Sequence, residues 1–366
     1  MRADLAPSAT AAEWEELAER TGASPFTRPG WVEAWASAFG RGRLEPACVR
    51  RADGRLAALL ALEASTGALR SPTNWHSPAC ALVSESPAAT RALFDDLVAR
   101  GARRLALAFL DVEAADHLCE AARGARVLRR TLQRSPYVPL SGSWEEYERA
   151  RSPELRAELR RLARRLSGRM RVEVDSGSAD LEARLEQGFA VEAAGWKGAR
   201  GTAVRSSAAT RRFYGEIARW AAARGWLRLA FLHVDGRPAA FDLCLEQGRV
   251  HYLLKTGYDP AFAALSPGKL LRHAMLERAF RAGLRTYELL GESEPWKLRW
   301  TSSTRARELV QVFRSSPAGL VDWTIHAYGR PLARRVRDLA RASSRASSRA
   351  SSPTTSPTSK TGEARP

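Results

Sequence analysis

Residues 226–254 contain three apolar segments that are separated by two short polar turns. The turns are Asp235-Gly236, which is typical of a β-hairpin, and Gln247-Gly248. The apolar segments, which are rich in strand-forming residues, are residues 226–234, 239–245 and 250–254. Because short apolar runs joined by such turns pair with their neighbours, this pattern predicts an antiparallel meander of three strands.

A helical pattern follows the meander. From Lys269 onward, apolar residues recur at helical spacing, namely Leu270, Leu271, Ala274, Met275 and Phe280. Gly283 stands where a left-handed helix cap is expected, and residues 284–290 resume a strand pattern. A helix that connects two strands of one sheet implies that these strands are parallel.

The turn Ser266-Pro267-Gly268-Lys269 opens this helix. Ser266 is expected to cap the helix, and the first backbone amides of a helix lack partners and attract anions. If the sheet parts beside this turn, the amides of Gly268, Lys269 and Leu270 are available to a phosphate-bearing ligand. The turn is not a P-loop, because Ala263 replaces the first glycine of that motif and Leu270 replaces its Ser or Thr.

The N-terminal half shows structural patterns more clearly than chemical ones. Trp14 and Leu17 fit one amphipathic helix, and Pro29 opens a second. Aromatic residues recur every four positions along the second helix and are expected in the core, namely Trp31, Trp35 and Phe39. Residues 74–78 form a polar and aromatic loop, which is either structural or part of a substrate cleft.

Two short segments of the N-terminal half have similar counterparts in the C-terminal half. Residues 53–58 resemble residues 235–240, and residues 99–101 resemble residues 223–225. These similarities indicate two halves of related architecture, although turns and glycine caps also recur by chance.

Composition indicates a globular protein. The chain has 366 residues, 45% of them hydrophobic, with 11 tryptophans, which suffices for two domains with full cores. The apolar run at residues 56–62 is too short to cross a membrane, and residues 1–7 lack a signal-peptide core, so we expect a cytoplasmic protein. The four cysteines are distant from one another and form no Cys-x-x-Cys pair, so we expect reduced thiols.

Two segments carry most of the net charge of +18. Residues 151–171 and residues 334–366 each hold eight basic and two acidic residues, which together supply twelve of the eighteen charges. Residues 341–366 are rich in Arg, Ser and Pro and are expected to be disordered. This tail is either simply solvated or a loose contact for RNA or anionic surfaces.

The segment of residues 151–171 is predicted to be helical, with a start signal at Ser152-Pro153. Leucines form one apolar stripe and arginines occupy the rest of the surface, at positions 156, 160, 161, 164 and 165. The arginine face is either merely exposed or a surface for the phosphates of a donor or of tRNA.

Four segments resemble the GNAT superfamily, in the branch that includes CelD-like proteins and Fem aminoacyl transferases. They are residues 192–197, 255–259, 266–268 and 291–300, and the resemblance extends over residues 14–323. It implies an α/β mixed-sheet fold with tandem GNAT-like domains at residues 10–140 and 150–330. The turn at Gly268 has fewer glycines than the usual acyl-CoA loop, which leaves the donor open.

The resemblance implies an acyl-CoA-dependent N-acyltransferase, in which an amine attacks the donor carbonyl directly. It requires neither a covalent nucleophile nor a metal. One alternative is a Fem-like transferase that uses aminoacyl-tRNA and acts on a peptide or peptidoglycan precursor. Another is a non-catalytic scaffold that binds RNA or a polysaccharide-synthesis partner. The amine acceptor is a small molecule or a cell-envelope component, and the oligomeric state is open.

Candidate site residues fall into three groups. Those for proton transfer are Asp242, Glu288, Glu192, Tyr258 and Tyr252. Asp242 is expected on an accessible strand face and Glu288 in a buried position with a raised pKa. A structural ion pair, for example with Lys255 or Arg285, is the alternative for each carboxylate. Donor-binding candidates are Ser266, Pro267, Gly268, Lys269, Leu270 and Lys297, and substrate-binding candidates are Trp196, Lys197, Lys255, Trp296 and Trp300.

Overall fold

The computed structural model describes residues 9–177 and 180–329, except for the side chain of Trp196. Contacts divide the chain into two compact units, one up to Arg314 and the other from Ser315 onward. In the second unit, Ser316 accepts a hydrogen bond from the Gly319 amide and so caps a short helix. The tail predicted to be disordered, residues 341–366, lies outside the described residues.

The described chain contains fourteen strands and twelve α-helices, numbered in chain order. The strands are β1 (Arg43–Leu44), β2 (Ala47–Arg50), β3 (Leu56–Leu60), β4 (Glu63–Ser65), β5 (Ala68–Arg70), β6 (Leu82–Ser84), β7 (Arg104–Leu110), β8 (Arg126–Pro139), β9 (Met170–Asp175), β10 (Leu227–Val234), β11 (Arg237–Gln247), β12 (Val250–Tyr258), β13 (Thr286–Glu288) and β14 (Thr304–Phe313). The helices are α1 (Ala11–Arg20), α2 (Pro29–Phe39), α3 (Pro87–Ala99), α4 (Val112–Ala121), α5 (Trp144–Arg149), α6 (Pro153–Arg165), α7 (Leu181–Ala194), α8 (Trp196–Ala199), α9 (Ala208–Ala222), α10 (Pro267–Arg281), α11 (Pro295–Leu298) and α12 (Pro317–Thr324).

Eleven strands form one mixed sheet in the order β1-β4-β5-β7-β14-β8-β13-β12-β11-β10-β9, and β2, β3 and β6 form a second sheet. Strand β8 joins the two halves of the large sheet, because it pairs with β14 along most of its length and with β13 at its end. The mixed α/β fold expected from the sequence is confirmed. The division into domains at residues 10–140 and 150–330 stays a prediction.

The predicted meander is confirmed. Strands β10, β11 and β12 pair in antiparallel order, with turns at the predicted positions. Helix α10 leads from β12 into β13, which pairs with β12 in parallel, as expected of a helical crossover. Gly283 ends the helix with φ of +64°. The last strand is shorter than predicted, since only Thr286–Glu288 pairs.

Strands β12 and β13 part after a short pairing. They pair only between Val250 and Tyr252 of β12, whereas β12 continues along β11 to Tyr258. Leu254 lies opposite no residue of β11, because the register shifts between Leu243 and Cys244. Such a bulge turns side chains away from their regular alternation and is common next to active sites. The parting leaves one edge of β12 open beyond Tyr252.

Both faces of the sheet are covered at β10, β11 and β12. The leucines of α6 and the apolar side of α10 cover one face, and α7, α9 and α2 cover the other. Trp31 and Trp35 of α2 are buried as predicted, and they pack against helices of the C-terminal half. Helix α6 is confirmed but ends earlier than expected, because Gly168 takes φ of +72° and Arg171 already belongs to β9.

One of the two internal similarities joins equivalent elements. Residues 53–58 and 235–240 each include a hairpin turn, between β2 and β3 and between β10 and β11. Residues 99–101 and 223–225 each connect the end of a helix to a strand, α3 to β7 and α9 to β10, with the glycine at positive φ. Their order relative to the hairpins differs, because the first segment follows its hairpin along the chain and the second precedes it.

Candidate active site

A cavity of about 600 Å³ opens where β12 and β13 part. Residues 253–258 of β12 line one wall, residues 289–292 line another, and the start of α10 closes one end. Further walls come from the N-terminal half and from α9, through Trp75, His76, Phe109 and Tyr214. The cavity therefore combines residues from both halves of the chain.

Helix α10 begins at the cavity with Ser266 in the left-handed region, at φ of 46° and ψ of 50°. In this conformation the side chain makes no cap hydrogen bond, so the predicted capping role is wrong. The Ser266 carbonyl instead accepts from the amides of Lys269 (3.0 Å) and Leu270 (3.3 Å). Of the three predicted anion-binding amides, only that of Gly268 lacks an acceptor in the described chain.

Backbone strain concentrates around this cavity. Five non-glycine residues have positive φ among the described residues, and three of them line the cavity, namely Phe109, Ser266 and Leu290. Residues in this region of φ and ψ cost of order 1–3 kcal/mol and persist where the surrounding structure holds them.

Glu192 and Lys197 form an ion pair on one wall. Lys197 Nζ lies 3.3 Å from Glu192 Oε1 and donates to the Thr256 carbonyl at 2.7 Å. Glu192 Oε2 accepts from the Val204 amide at 2.8 Å. Gly257 makes this arrangement feasible, because a Cβ at that position would lie 2.5 Å from the Glu192 Cα.

Lys297 anchors the strained turn on the opposite wall. Its ammonium donates to the carbonyls of Leu290 at 2.7 Å and Glu292 at 3.1 Å, and it lies 3.0 Å from a Glu294 carboxylate oxygen. Burial lowers the pKa of Lys297. With its donors satisfied by protein oxygens, Lys297 has a clear structural role beside the cavity.

At the end near α10, Glu158 of α6 holds two cations. It pairs with Lys269 and with Arg299, the latter at 3.1 Å. Leu155 of α6 also lines the cavity, and Arg151 Nη1 donates to the Trp300 carbonyl at 2.5 Å. The arginine-rich helix thus lies directly beside the opening.

Lys255 has a different environment. Its ammonium lies 5.0 Å from the centre of the Tyr214 ring. Burial is the main reason why the pKa of Lys255 falls to about 8, with Lys197 lowering it further and Glu192 opposing the change. Tyr214 contacts His76 Nδ1 through its hydroxyl at 3.2 Å. Burial, followed by the charge of Lys255, lowers the pKa of His76 to about 4, so His76 is neutral near pH 7.

The structure brings most of the predicted residues together. Those that line the cavity are Glu192, Lys197, Lys255, Tyr258, Ser266, Pro267, Gly268, Lys269, Trp296, Lys297 and Trp300. The side chain of Trp196 lies outside the described part. Within the loop of residues 74–78, Trp75, His76 and Pro78 line the cavity, which favours the cleft interpretation over a purely structural loop.

Four predicted residues do not line the cavity. Asp242 is 1% exposed under α10, so the expected accessible face does not exist. Glu288 is buried beside Arg305 at 3.1 Å, and burial raises its pKa as predicted. Tyr252 packs edge-on against Phe26, and Leu270 is in the core. Asp242 pairs with Arg272 and Glu288 pairs with Arg305, in place of the Lys255 or Arg285 suggested by the sequence.

Phe109, Gln133, Tyr214 and Arg272 also line the cavity, and sequence reasoning missed them. Their contributions come from elements far apart in sequence, which local patterns do not connect. A compositional signal was available, since the chain has only five lysines among 58 basic residues. Four of these lysines line this one cavity.

Residues 149–298 match the family model described as the acetyltransferase (GNAT) domain. This segment of the chain is similar to the GNAT acetyltransferase domain. The matched segment includes β10 to β13 and α10, which build the parted strands and the cavity end at Gly268. No curated protein matches the sequence significantly.

Solved structures share the GNAT-like fold at low sequence identity. FemX matches with a TM-score of 0.58 and 11% identity over 82% of this chain and 96% of its own. A conserved protein of unknown function from Bacteroides thetaiotaomicron matches with a TM-score of 0.55 and 11% identity, over 84% of this chain and 98% of its own. A third match is the C-terminal domain (DUF2156) of a protein from Agrobacterium fabrum that is described as a lysylphosphatidylglycerol synthetase. Its TM-score is 0.53 and its identity 15%, over 86% of this chain and 95% of its own. At these identities the comparison establishes the fold alone.

Within the described ranges, no helix combines the length and apolarity needed to cross a membrane. The same residues contain no group of three or more His, Cys, Asp or Glu side chains placed to hold a metal ion. All four cysteines are free thiols in the structure.

Proposed function

We propose that this GNAT protein transfers an acyl group from acyl-CoA to an amine that binds in the cavity. The observation that carries the proposal is the parting of β12 from β13 directly beside the start of α10. The parting leaves an open strand edge at Leu253–Gly257, and α10 offers the unpaired Gly268 amide at the same cavity. An open edge suits the amide groups of a pantetheine arm, and a helix start suits a diphosphate.

The residues present have room for such a donor. A Cβ added to Gly268 would meet only Tyr258 Cδ1, at an ordinary 3.7 Å, so the approach to the helix start is open. The side chain of Lys269 adds positive charge at the same end. A phosphate-bearing donor fits this charge and the dipole of α10.

The reaction conserves oxidation state. The free amine nitrogen forms a bond to the acyl carbon, the carbon–sulfur bond breaks, and the thiolate leaves with the bonding electrons. The amine loses a proton and the thiolate gains one, so the net products are an amide and a thiol. Holding the two reactants in line is the main task of such a site, because no covalent intermediate is needed.

Of the five proton-transfer candidates, Glu192 and Tyr258 line the cavity, which supports them over the other three. We assign proton acceptance from the amine to the Glu192 carboxylate and proton donation to the thiolate to the Tyr258 hydroxyl. Glu192→Gln and Tyr258→Phe are expected to lower kcat by about a hundredfold or more. Unchanged kcat in both variants, at unchanged thermal stability, would refute these roles.

Donor binding is tested by two matched substitutions at the start of α10, one charged and one neutral. Gly268→Glu places a negative charge where a diphosphate would bind, yet favours the helix itself through the dipole. Gly268→Gln is the matched neutral control. Calorimetric titration with acetyl-CoA is expected to show a Kd about tenfold or more higher for the Glu variant than for the Gln variant. Equal affinities would contradict binding at this helix start.

Turnover is tested by following thiol release from a panel of acyl-CoAs with mixed amine acceptors. Amine-dependent release is the expected result. A wild-type protein that neither binds nor cleaves any acyl-CoA would refute the proposal.

A second function is favoured by one observation, the position of α6 at the cavity rim. Leu155 lines the cavity while Arg160, Arg161 and Arg164 are exposed, which suits a long polyanionic donor such as aminoacyl-tRNA. Replacing these three arginines by Glu separates the two functions. If acyl-CoA is the donor, the triple variant is expected to keep the acetyl-CoA affinity of the wild type. If instead the wild type binds tRNA but not acetyl-CoA, and the triple variant loses tRNA binding, the tRNA-dependent reaction is favoured.

A further inference from the structure

Six basic side chains line the cavity, and five of them pair with carboxylates. The pairs are Lys197 with Glu192, Lys269 and Arg299 with Glu158, Arg272 with Asp242, and Lys297 with Glu294. In the part of the chain that the structure describes, Lys255 has no carboxylate within 4.0 Å and no hydrogen-bond partner, and its ammonium lies 5.0 Å from the centre of the Tyr214 ring. A partly buried ammonium without a paired carboxylate is costly, so this position favours an anionic ligand.

Lysine is rare in this chain, which makes the position of Lys255 more informative. The sequence uses arginine 53 times and lysine five times. An ammonium is a compact charge with three rotatable donors, whereas a guanidinium is a larger planar fork. Lys197 and Lys297 use the compact shape to bind backbone carbonyls. No such structural role is left for Lys255 among the described contacts.

Lys255 lies on the wall of the cavity that β12 forms. It directly follows the bulged Leu254 and precedes Tyr258 by three residues, or about 10 Å along a strand. Tyr258 lies next to Gly268, where the donor diphosphate is placed by the proposed function. Lys255 is therefore too far along the strand to bind that diphosphate.

The surroundings of Lys255 come largely from outside the β12 and β13 cleft. Tyr214 belongs to α9, and His76 belongs to the loop that also brings Trp75 into the cavity wall. Since the donor is expected to follow the open edge of β12, the side of the cavity that Tyr214 and His76 form is left for the acceptor. Neutral His76 and the Tyr214 hydroxyl add polar groups without adding a competing negative charge.

We propose, on the basis of the proposed function, that the acceptor is an amine that also carries an anionic group, a carboxylate or a phosphate, and that Lys255 binds this group. An acidic amine of this kind supplies the charge that Lys255 lacks. Lys255 thereby selects the acceptor and places its nitrogen beside the acyl carbon.

The test measures binding of two matched amine pairs by calorimetry, with and without CoA. Glycine is compared with glycinamide, and glucosamine 6-phosphate with glucosamine, so that the pairs distinguish a carboxylate from a phosphate. The wild type is expected to bind the anionic member of one pair about tenfold or more tightly than its neutral partner. Lys255→Met is expected to abolish this preference, and Lys255→Arg to keep part of it.

Thiol release with acetyl-CoA then provides a second readout. The ratio of kcat/KM for the anionic amine to kcat/KM for the neutral amine is expected to fall about tenfold or more in Lys255→Met. Glycinamide holds more of its amine in the free-base form than glycine does, so amine ionisation works against the expected preference and does not create it.

Several results would overturn the inference. The first is a wild type that binds neither anionic amine more tightly than its neutral partner. The second is a Lys255→Met variant that slows charged and neutral amines equally, which would place Lys255 in the chemistry. The third is a preference for succinyl-CoA over acetyl-CoA that depends on Lys255, which would assign the anion to the acyl group. Failure of the proposed function has a different signature, since acetyl-CoA then does not bind while the amine titrations remain informative.

Discussion

Arg272 Nη2 lies 2.9 Å from Asp242 Oδ2, and both side chains are 1% exposed. Arg272 also contacts the Tyr287 hydroxyl and the cavity. The pair joins α10 to β11 beneath the site. Removing one member of a buried ion pair leaves an uncompensated charge, which is far costlier than losing an exposed pair.

We therefore predict that Asp242→Asn lowers the free energy of unfolding by roughly 3–5 kcal/mol. Urea denaturation measures this change. Asp235→Asn is the matched control, because Asp235 pairs with Arg169 at the surface and its loss is expected to have little effect. An Asp242→Asn protein that keeps wild-type stability but loses turnover would instead assign Asp242 a chemical role.

The sequence predicted the elements that depend on local patterns. The meander, α6, α10 and the parallel β13 follow from apolar periodicity and from turn residues that lie within about 60 residues of one another. The placement of β14 between β7 and β8 did not follow, because these partners lie far away along the chain. Pairing over such separations depends on the packing of the whole sheet, which periodicity does not encode.

Lys255 provides a prediction on pH. Its pKa in the folded protein is about 8, below the 10.5 of an exposed lysine, so folding disfavours its charged form. This cost is fully present below pH 8 and disappears as the pH rises from 8 to 10.5. Lys255→Met is thus expected to raise the free energy of unfolding by roughly 2–3 kcal/mol at pH 7, and by much less at pH 10.

Denaturant unfolding of both proteins at pH 7 and pH 10 checks this difference. Lys255→Arg serves as the control, because arginine stays charged at both pH 7 and pH 10. The difference in stability between Lys255→Arg and Lys255→Met should therefore be similar at the two pH values. A Lys255→Met variant that is less stable than the wild type at pH 7 would show that the ammonium has a stabilising partner.

Gly257 provides a prediction on packing. A Cβ there would lie 2.5 Å from the Glu192 Cα, whereas a Cβ at Gly124 would meet nothing within 4 Å. Gly257→Ala is expected to lower stability by about 1–3 kcal/mol and to displace Glu192. Gly124→Ala is expected to leave the melting temperature nearly unchanged. Equal melting temperatures for the two variants would contradict the close approach of α7 to β12.

Sequence reasoning located the α10 end of the cavity better than the Lys255 end. Ser266, Gly268 and Lys269 were found because one turn carries them together. His76 and Tyr214 meet across 138 residues of sequence, and Lys255 lies beside the same Tyr214 ring, in contacts that only the folded chain defines. The burial of Asp242 was also hard to predict, since strand alternation placed it on a face that was expected to be accessible and that α10 covers in the structure.

Ser266 tests whether the reaction needs a covalent nucleophile. Its φ of 46° is strained for a residue with a side chain, and its hydroxyl makes no cap hydrogen bond. Ser266→Gly relieves this strain but also increases the freedom of the unfolded chain, so stability is expected to stay within about 1 kcal/mol of the wild type. Ser266→Val is the contrasting variant, because a β-branched residue tolerates this conformation poorly and should destabilise the protein. Since direct attack by an amine needs no serine, Ser266→Gly is expected to keep most of its thiol-release activity. Complete loss of turnover in a Ser266→Gly protein that still binds acetyl-CoA would contradict this expectation and show that the hydroxyl takes part in the reaction.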